Sequence, residues 1–332
     1  MNFASILPTT NNIWLAILLL VVGIVCIIKG GDFFVDAAVW VAEVLKMPKF
    51  LIGATIVSIA TTLPEMIVSI IAVSGGNYAI SIGNALGSVT ANTGLILAIS
   101  AVFVGGVIDR RDFGIKSILI IAATLVIFIF GLTGSFGYLP SILLLVILIY
   151  YMYETAVTAK RSSETIEKQE AKEKPEVNAK IVILNILKFV VGAAGIVLGA
   201  DLLVENAKLL ASAIGVSDGI IAITIVAIGT SLPELITTIT SITKKQGDLG
   251  VGNIIGANII DLVLILPVCS FISKGQLIIE PQSMYLDIPA CLLISLVAVV
   301  PALINKKFTK IQGFILLALY LTYIILAATI SF

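Results

Sequence analysis

Long apolar runs separated by short polar stretches dominate this chain. Each run is about 20 residues long, which is the length that an α-helix needs to cross the hydrocarbon core of a bilayer. The pattern predicts ten transmembrane helices and therefore an all-α membrane protein. The predicted spans are residues 13–28, 50–73, 79–105, 115–133, 138–157, 181–205, 219–243, 249–272, 284–304 and 309–331.

Composition agrees with this pattern and narrows the class of protein. With 59% hydrophobic residues, 12% charged residues and a mean hydropathy of +1.15, the chain is not an ordinary soluble domain. Met1 to Asn12 carry no Lys or Arg, so they lack the basic segment of a cleavable signal peptide, and we expect the first span to be retained. The expected surroundings are a lipid bilayer, and no nucleic-acid partner is expected.

Basic residues cluster in alternate loops between the predicted spans. Because cytoplasmic loops carry an excess of Lys and Arg, these loops are predicted to be cytoplasmic and both termini extracytoplasmic. The predicted location is the plasma (inner) membrane, with multiple passes. The clusters are Lys46/Lys49, Arg110/Arg111/Lys116, Lys160 to Lys180, Lys244/Lys245 and Lys306/Lys307/Lys310.

Residue types limit the chemistry that the chain can perform. Cys26, Cys269 and Cys291 lie in apolar spans at unrelated spacings, which favours neither a disulfide framework nor a metal cluster. The chain contains no histidine, so the usual ligand for zinc, copper or haem is missing. We expect no cofactor, and any metal that the protein handles should be a hard cation that prefers oxygen.

Two nearly identical stretches place charge inside apolar spans. They read Thr-Ile-Val-Ser-Ile-Ala-Thr-Thr-Leu-Pro-Glu at residues 55–65 and Thr-Ile-Val-Ala-Ile-Gly-Thr-Ser-Leu-Pro-Glu at residues 224–234. An ionisable side chain at membrane depth is expensive, and a proline inside a helix costs about 3 kcal/mol. A chain that does both twice is predicted to build a cation site.

The repeat extends well beyond this motif. Residues 21–92 and 190–261 align without a gap at a register of 169 and share 23 identities in 72 positions, which indicates an internal duplication. Equivalent points are separated by five spans, an odd number, so the second copy must enter the membrane from the opposite side. Inverted repeats with broken helices are typical of secondary transporters. The predicted parts are a first five-helix half at 1–157, a short cytoplasmic linker at 158–180 and a second five-helix half at 181–332.

Polar side chains within each half follow helical spacing and form two stripes. The proline before each glutamate of the first stripe has no N–H group, so it leaves one backbone carbonyl without its helical hydrogen bond. This carbonyl is that of Ala60 in the first half and that of Gly229 in the second. The second stripe belongs to a Gly-Asn-x-x-Gly segment whose glycines let helices approach closely. The first stripes are Ser58, Thr61, Thr62 and Glu65, and Ala227, Thr230, Ser231 and Glu234; the second are Asn84, Ser88 and Asn92, and Asn253, Ala257 and Asp261.

Oxygen ligands of this kind suit Na⁺ and Ca²⁺ better than Mg²⁺, which demands tight octahedral geometry. Buried carboxylates close together repel each other, so either cations fill the site or a proton is taken up. The protein is then expected to switch between opening to one side of the membrane and opening to the other only when this negative charge is compensated. Exchange of one ion for another follows from that requirement.

The paired Leu-Pro-Glu and Gly-Asn-x-x-Gly segments in two inverted halves resemble the alpha-repeats of the sodium/calcium exchanger family, within the calcium/cation antiporter superfamily. The likeness covers nearly the whole chain, with alpha-repeat 1 at about 50–105 and alpha-repeat 2 at about 219–272. It implies a secondary active antiporter that exchanges Na⁺ for Ca²⁺ by alternating access.

The resemblance also implies a set of ligands. The two motif glutamates would be central ligands shared by Ca²⁺ and Na⁺, threonines would add oxygens to the Ca²⁺ site, and carbonyls and hydroxyls would complete flanking Na⁺ sites. One position departs from the family pattern, since Ala257 stands where members usually carry Ser. The implied ligands are Glu65 and Glu234 at the centre, Thr61 and Thr230 for Ca²⁺, the carbonyls of Ser58 and Ala227 with Thr62, Ser231 and Ser88 for Na⁺, and Asn92 and Asp261 facing the centre.

Other interpretations remain open at this point. A proton/Ca²⁺ exchanger on the same scaffold is favoured somewhat by Ala257, and a protonated glutamate would then carry the counter-ion. A cation channel is disfavoured because the repeats are inverted within one chain and do not surround a pore axis. An intramembrane aspartyl protease would need two deep Asp residues, and only Asp261 qualifies, so no enzymatic activity is expected. We expect the protein to function as a monomer.

Several polar groups have a structural interpretation. Hydroxyls on the stripes can instead bond the preceding turn of their own helix. Asp32 and Asp201 are predicted to meet headgroups at the ends of spans one and six. Glu280 and Asp287 are predicted to be solvated, as are Asp109 and Asp112.

Overall fold

The apolar runs form long helices because a backbone in hydrocarbon must satisfy its hydrogen bonds within its own segment. The computed structural model describes residues 12–103, 110–169, 177–213, 229 and 231–330. The helices within these ranges are α1 Ile13–Val44, α2 Lys49–Thr61, α3 Leu63–Ser74, α4 Tyr78–Phe103, α5 Arg110–Gly131, α6 Tyr138–Gln169, α7 Ala179–Ala213, α8 Leu232–Thr243, α9 Gly247–Ile272, α10 Ser283–Asn305 and α11 Lys310–Thr329.

Eight of these helices are long and apolar enough to cross a membrane, and α2 with α3 forms a ninth candidate span that is bent by 43°. The predicted span 219–243 lies partly outside the described residues, and α8 is its described portion. The protein is therefore an all-helical membrane protein with eight or nine candidate spans in the described part of the chain.

The first helix is much longer than its predicted span of 13–28. It continues through Gly30 and Gly31 to Val44, so Asp32 lies within the helix and not at its end. The Asp32 carboxylate lies 3.2 Å from the Lys244 ammonium group, which also contacts Asp36 at 2.7 Å. Glycine has a low helix propensity, so the turn that contains Gly30 and Gly31 would be disfavoured in an isolated helix. Packing against other helices stabilises it here.

Glycines allow α1 and α7 to cross at very close range. A Cβ atom added at Gly30 would lie 2.8 Å from the carbonyl oxygen of Gly192, and one added at Gly23 would lie 2.8 Å from that of Gly199. Real side chains do not tolerate such distances. In the register of 169, Gly23 is equivalent to Gly192 and Gly30 to Gly199, so each contact is the image of the other.

Helices α4 and α9 are the most buried of the candidate spans, and α9 packs directly on α2. Gly252 lies against the backbone of Phe50, and a Cβ atom at Gly256 would lie 2.6 Å from the carbonyl oxygen of Ala54. The predicted role in close helix packing is confirmed for Gly252 and Gly256. Their packing brings the first Leu-Pro-Glu segment against the second Gly-Asn-x-x-Gly helix. The prediction is wrong for Gly83 and Gly87, where an added Cβ atom would meet nothing within 4 Å, so the first Gly-Asn-x-x-Gly segment has no such close contact.

A small antiparallel ribbon joins two connections, and the sequence pattern did not predict it. Strand β1 (Ser135–Phe136) pairs with strand β2 (Leu277–Ile278). The ribbon therefore ties the α5–α6 connection to the α9–α10 connection.

Lys116 was grouped with basic residues of a loop between two spans, and its predicted position in that loop is wrong. It lies within α5, is fully buried, and places its ammonium group 2.7 Å from the Glu154 carboxylate on α6. The second carboxylate oxygen of Glu154 accepts a hydrogen bond of 2.7 Å from the Thr158 hydroxyl. Burial is possible because the charge is paired.

Asp287 was predicted to be solvated, and this prediction is also wrong. Only 4% of the residue is exposed, at the start of α10. Its carboxylate accepts hydrogen bonds from the Ser283 hydroxyl at 2.9 Å and from the Tyr323 hydroxyl at 3.2 Å. These two hydroxyl donors take the place of water, which is why the carboxylate can be buried.

Candidate ion-binding site

The helix break predicted at Pro64 is present. Helix α2 ends at Thr61 and α3 begins at Leu63, with the axis bent between them. Glu65 therefore lies in the first turn of α3, and Glu234 lies in the first turn of α8 after Pro233. The free N–H groups at a helix N-terminus form the positive end of its dipole, which favours a carboxylate there.

Three carboxyl groups are buried together without protein partners. Glu65 is 1% exposed and Glu234 and Asp261 are 0% exposed, and the three lie within electrostatic range of one another. None of their carboxylate oxygens makes a hydrogen bond of good geometry with a described group, although the Thr61 hydroxyl lies near Glu234 and each glutamate lies near its own backbone amide. Because an unpaired buried charge is very costly, this arrangement requires bound cations or protons.

Asn92 and Asp261 each begin a turn of π-helix, at Asn92–Leu97 and Asp261–Ile265. The first turn packs against α8 and α9, and the second packs against α3 and α4. Such turns often mark functional sites because they loosen the regular hydrogen-bond ladder. No residue pattern signals them in the sequence, although the two occupy equivalent positions in the two halves.

The hydroxyls of the polar stripes divide into two groups. Those of Ser88 and Ser231 are buried and have no hydrogen-bond partner among the described residues, so they are available to a ligand. The Thr62 hydroxyl instead donates to the carbonyl of Ser58 at 2.7 Å, and the Ser58 hydroxyl donates to the carbonyl of Thr55 at 3.0 Å. For these two, bonding to the preceding turn is what the structure shows.

Two asparagines connect the helices that carry the site. The Thr61 hydroxyl donates to Asn253 Oδ1 at 3.1 Å and lies close to the Glu234 carboxyl group, so it joins the two halves. Asn84 Nδ2 donates to the carbonyl of Glu65 at 3.0 Å and to the Ser69 hydroxyl at 2.9 Å. Asn84 is thus a bridge between α3 and α4.

Not every predicted ligand can be placed. Ala227 and Thr230 lie outside the described residues. Although Glu65, Glu234 and Asp261 influence one another electrostatically, they do not form a ready-made cluster of three acidic ligands around one metal position within the described ranges. Neutral oxygens would therefore have to supply much of the coordination, as the mixed stripes predict.

Three further hydroxyls extend the site along α8 and were missed in the sequence analysis. Thr237, Thr238 and Ser241 are buried, and their hydroxyls have no hydrogen-bond partner in the described part of the chain. Their spacing of three, four and seven residues from Glu234 places them on its helical face. That spacing was available in the sequence and could have identified them.

Comparison with known proteins identifies the family. Residues 15–156 and 184–329 match the family model described as "Sodium/calcium exchanger protein". The chain belongs to the sodium/calcium exchanger family. This confirms the resemblance that the paired motifs indicated.

Relatives of this sodium/calcium exchanger family member match over most of their length. It is 33% identical over 304 residues to an uncharacterized membrane protein of Methanocaldococcus jannaschii, covering 90% of this chain and 93% of that one. It is 26% identical to the sodium/calcium exchanger MaX1 of Methanosarcina acetivorans, covering 93% and 97%. Its fold is similar to that of the solved sodium-calcium exchanger NCX_Mj, with a TM-score of 0.78 and 28% identity over 96% of this chain and 100% of that one.

Proposed function

We propose that this protein is a secondary active antiporter that exchanges Na⁺ for Ca²⁺ across the plasma membrane by alternating access. The observation that carries the proposal is the group of three buried, unpartnered carboxyl groups at helix breaks and π turns, surrounded by neutral oxygens. Similarity to proteins named as sodium/calcium exchangers supports the same conclusion.

The electrostatics of this site explain why transport should be an exchange. Removing the cations would leave like charges buried in a medium that screens them poorly, which opposes any movement of the empty site. Rebinding of Ca²⁺ or of Na⁺ restores neutrality. Each ion that leaves on one side must therefore be replaced before the site can open to the other.

The ligand assignment follows the two stripes. Glu65 and Glu234 hold both ions, and hydroxyl, amide and carbonyl oxygens complete the shells. The proposed ligands are Glu65, Glu234, Thr61, Thr230, Asn92, Asp261, Ser58, Ala227, Thr62, Ser231 and Ser88.

The proposed architecture is ten spans in two inverted halves, 1–157 and 181–332, joined by a cytoplasmic linker at 158–180, with both termini extracytoplasmic. The reciprocal glycine contacts of α1 with α7 and the equivalent π turns support this arrangement. Because both halves of the site come from one chain, the functional unit is a monomer.

Transport by purified protein in liposomes tests the function. Vesicles loaded with Na⁺ and diluted into Na⁺-free medium with radioactive Ca²⁺ should accumulate Ca²⁺ when pH is clamped by an ionophore. Acceleration of Ca²⁺ efflux by Ca²⁺ on the opposite side should distinguish an exchanger from a channel. Failure of the Na⁺ gradient to drive uptake would exclude the proposal.

Exchange of protons for Ca²⁺ is the second candidate, because Ala257 removes one hydroxyl that a flanking Na⁺ site would use. In that case a pH gradient, imposed without Na⁺, would drive uptake by the same vesicles. The two gradients applied separately decide between the candidates.

A further inference from the structure

The two halves differ in a complementary way at the positions that flank the central glutamates. In the register of 169, Ser58 is equivalent to Ala227, and Ser88 is equivalent to Ala257. The first half thus has serine at both positions, on two consecutive helices, and the second half has alanine at both. A hydroxyl that the second half lacks on α9 is present in the first half on α2.

Packing brings these two elements together. Helix α2 lies against α9, and a Cβ atom added at Gly256 would overlap the Ser58 hydroxyl. The hydroxyl therefore occupies space that Gly256 leaves open, beside Ala257. Both Ser58 and Ala257 are fully buried.

The hydroxyl of Ser58 is oriented so that it can accept. Its proton points to the carbonyl of Thr55, at an Oγ–O distance of 3.0 Å. A serine hydroxyl has one proton and two lone pairs, so the lone pairs remain for a cation. The Ser58 carbonyl, which is proposed above as a Na⁺ ligand, belongs to the same residue.

We propose that the Ser58 hydroxyl is a Na⁺ ligand that replaces the hydroxyl missing at Ala257. This inference rests on the proposed Na⁺/Ca²⁺ exchange and adds one ligand to it. The flanking Na⁺ site next to α9 then keeps a side-chain hydroxyl, contributed from the opposite helix. The chain retains its Na⁺ sites although it departs from the family pattern.

The test is the Na⁺ dependence of exchange in Ser58→Ala. Removing one ligand of a Na⁺ site should raise the Na⁺ concentration for half-maximal Ca²⁺ transport at least about fivefold and lower its cooperativity. Exchange of Ca²⁺ for Ca²⁺ in the absence of Na⁺ should persist, which shows that the variant is folded. Ser117→Ala is the matched control, since Ser117 is also a fully buried serine in a helix but lies on α5, away from the site.

Rescue separates a ligand from a packing residue. Adding Ala257→Ser to Ser58→Ala should restore Na⁺ dependence toward that of the parent protein. Ser58→Cys, which preserves side-chain shape but offers a poor Na⁺ ligand, should behave like Ser58→Ala and covers the case in which alanine impairs folding. An unchanged Na⁺ dependence in both variants, or a loss that Ala257→Ser does not repair, would overturn the inference alone. A parent protein that Na⁺ does not drive would overturn the proposed function as well.

Discussion

At the scale of single residues, the position of two glutamates sets the chemistry. Glu65 and Glu234 each follow a proline in the first turn of a helix and have no described hydrogen-bond partner for their carboxylates. The helix dipole favours the negative charge, whereas burial opposes it. A cation bound by both carboxylates, as we propose, would resolve this conflict.

Replacing either glutamate with glutamine preserves side-chain volume and removes the charge. We expect Glu65→Gln and Glu234→Gln each to reduce Na⁺-driven Ca²⁺ uptake by about 100-fold or more, because loss of even an outer partner of a metal ligand costs about 10–100-fold. Glu280→Gln is the control, since Glu280 is exposed. Uptake near the parental rate in both variants would contradict the assignment.

Lys116 and Glu154 form a buried ion pair whose effect is structural. Removing one partner of such a pair costs about 3–5 kcal/mol because the other charge stays buried. We expect Lys116→Met to lower the thermal unfolding temperature in detergent clearly. Lys208→Met, which breaks a partly exposed pair with Glu205, should cost at most about 1 kcal/mol. Equal effects of the two variants would show that burial of the Lys116 pair carries no energetic weight.

At the scale of helices, the sequence predicts features that have a local cause and misses features that depend on tertiary contacts. The break at Pro64 could be predicted because a proline removes a hydrogen bond wherever it stands in a helix. The length of α1 and the burial of Lys116 and Asp287 could not, since each depends on a partner far away in the chain: Gly192, Glu154 and Tyr323. The π turns depend on packing in the same way.

The glycine crossing of α1 and α7 makes a helix-scale prediction. Gly30→Ala should destabilise the protein in detergent and impair transport, because the new Cβ would lie 2.8 Å from the Gly192 carbonyl oxygen. Gly114→Ala in α5 is the matched control. Its Cβ would meet nothing closer than 3.5 Å, and the gain in helix propensity of about 1 kcal/mol should make it neutral or stabilising. The opposite ranking of the two variants would disprove the close crossing.

At the scale of the whole molecule, the two proposed halves meet through α1 with α7, α2 with α9, and the β1–β2 ribbon. None of these contacts is made by residues 158–178, although α6 itself continues into the proposed linker as far as Gln169. We expect residues 1–157 and 181–332, expressed together as separate chains, to co-purify and to restore Na⁺-driven Ca²⁺ uptake above background. Pieces that co-purify but never transport would show that the linker is required for function.

The ribbon also bears on how the protein is synthesised. At about 5–20 residues per second, residues 135–136 wait on the order of ten seconds for residues 277–278 to be translated. During that interval strand β1 has no partner strand, and the glycines of α1 have no partner helix until residues 192–199 have been made. A chain whose synthesis stops between β1 and β2 lacks the partner strand of the ribbon. Quality-control proteases should degrade such a chain faster than the completed protein.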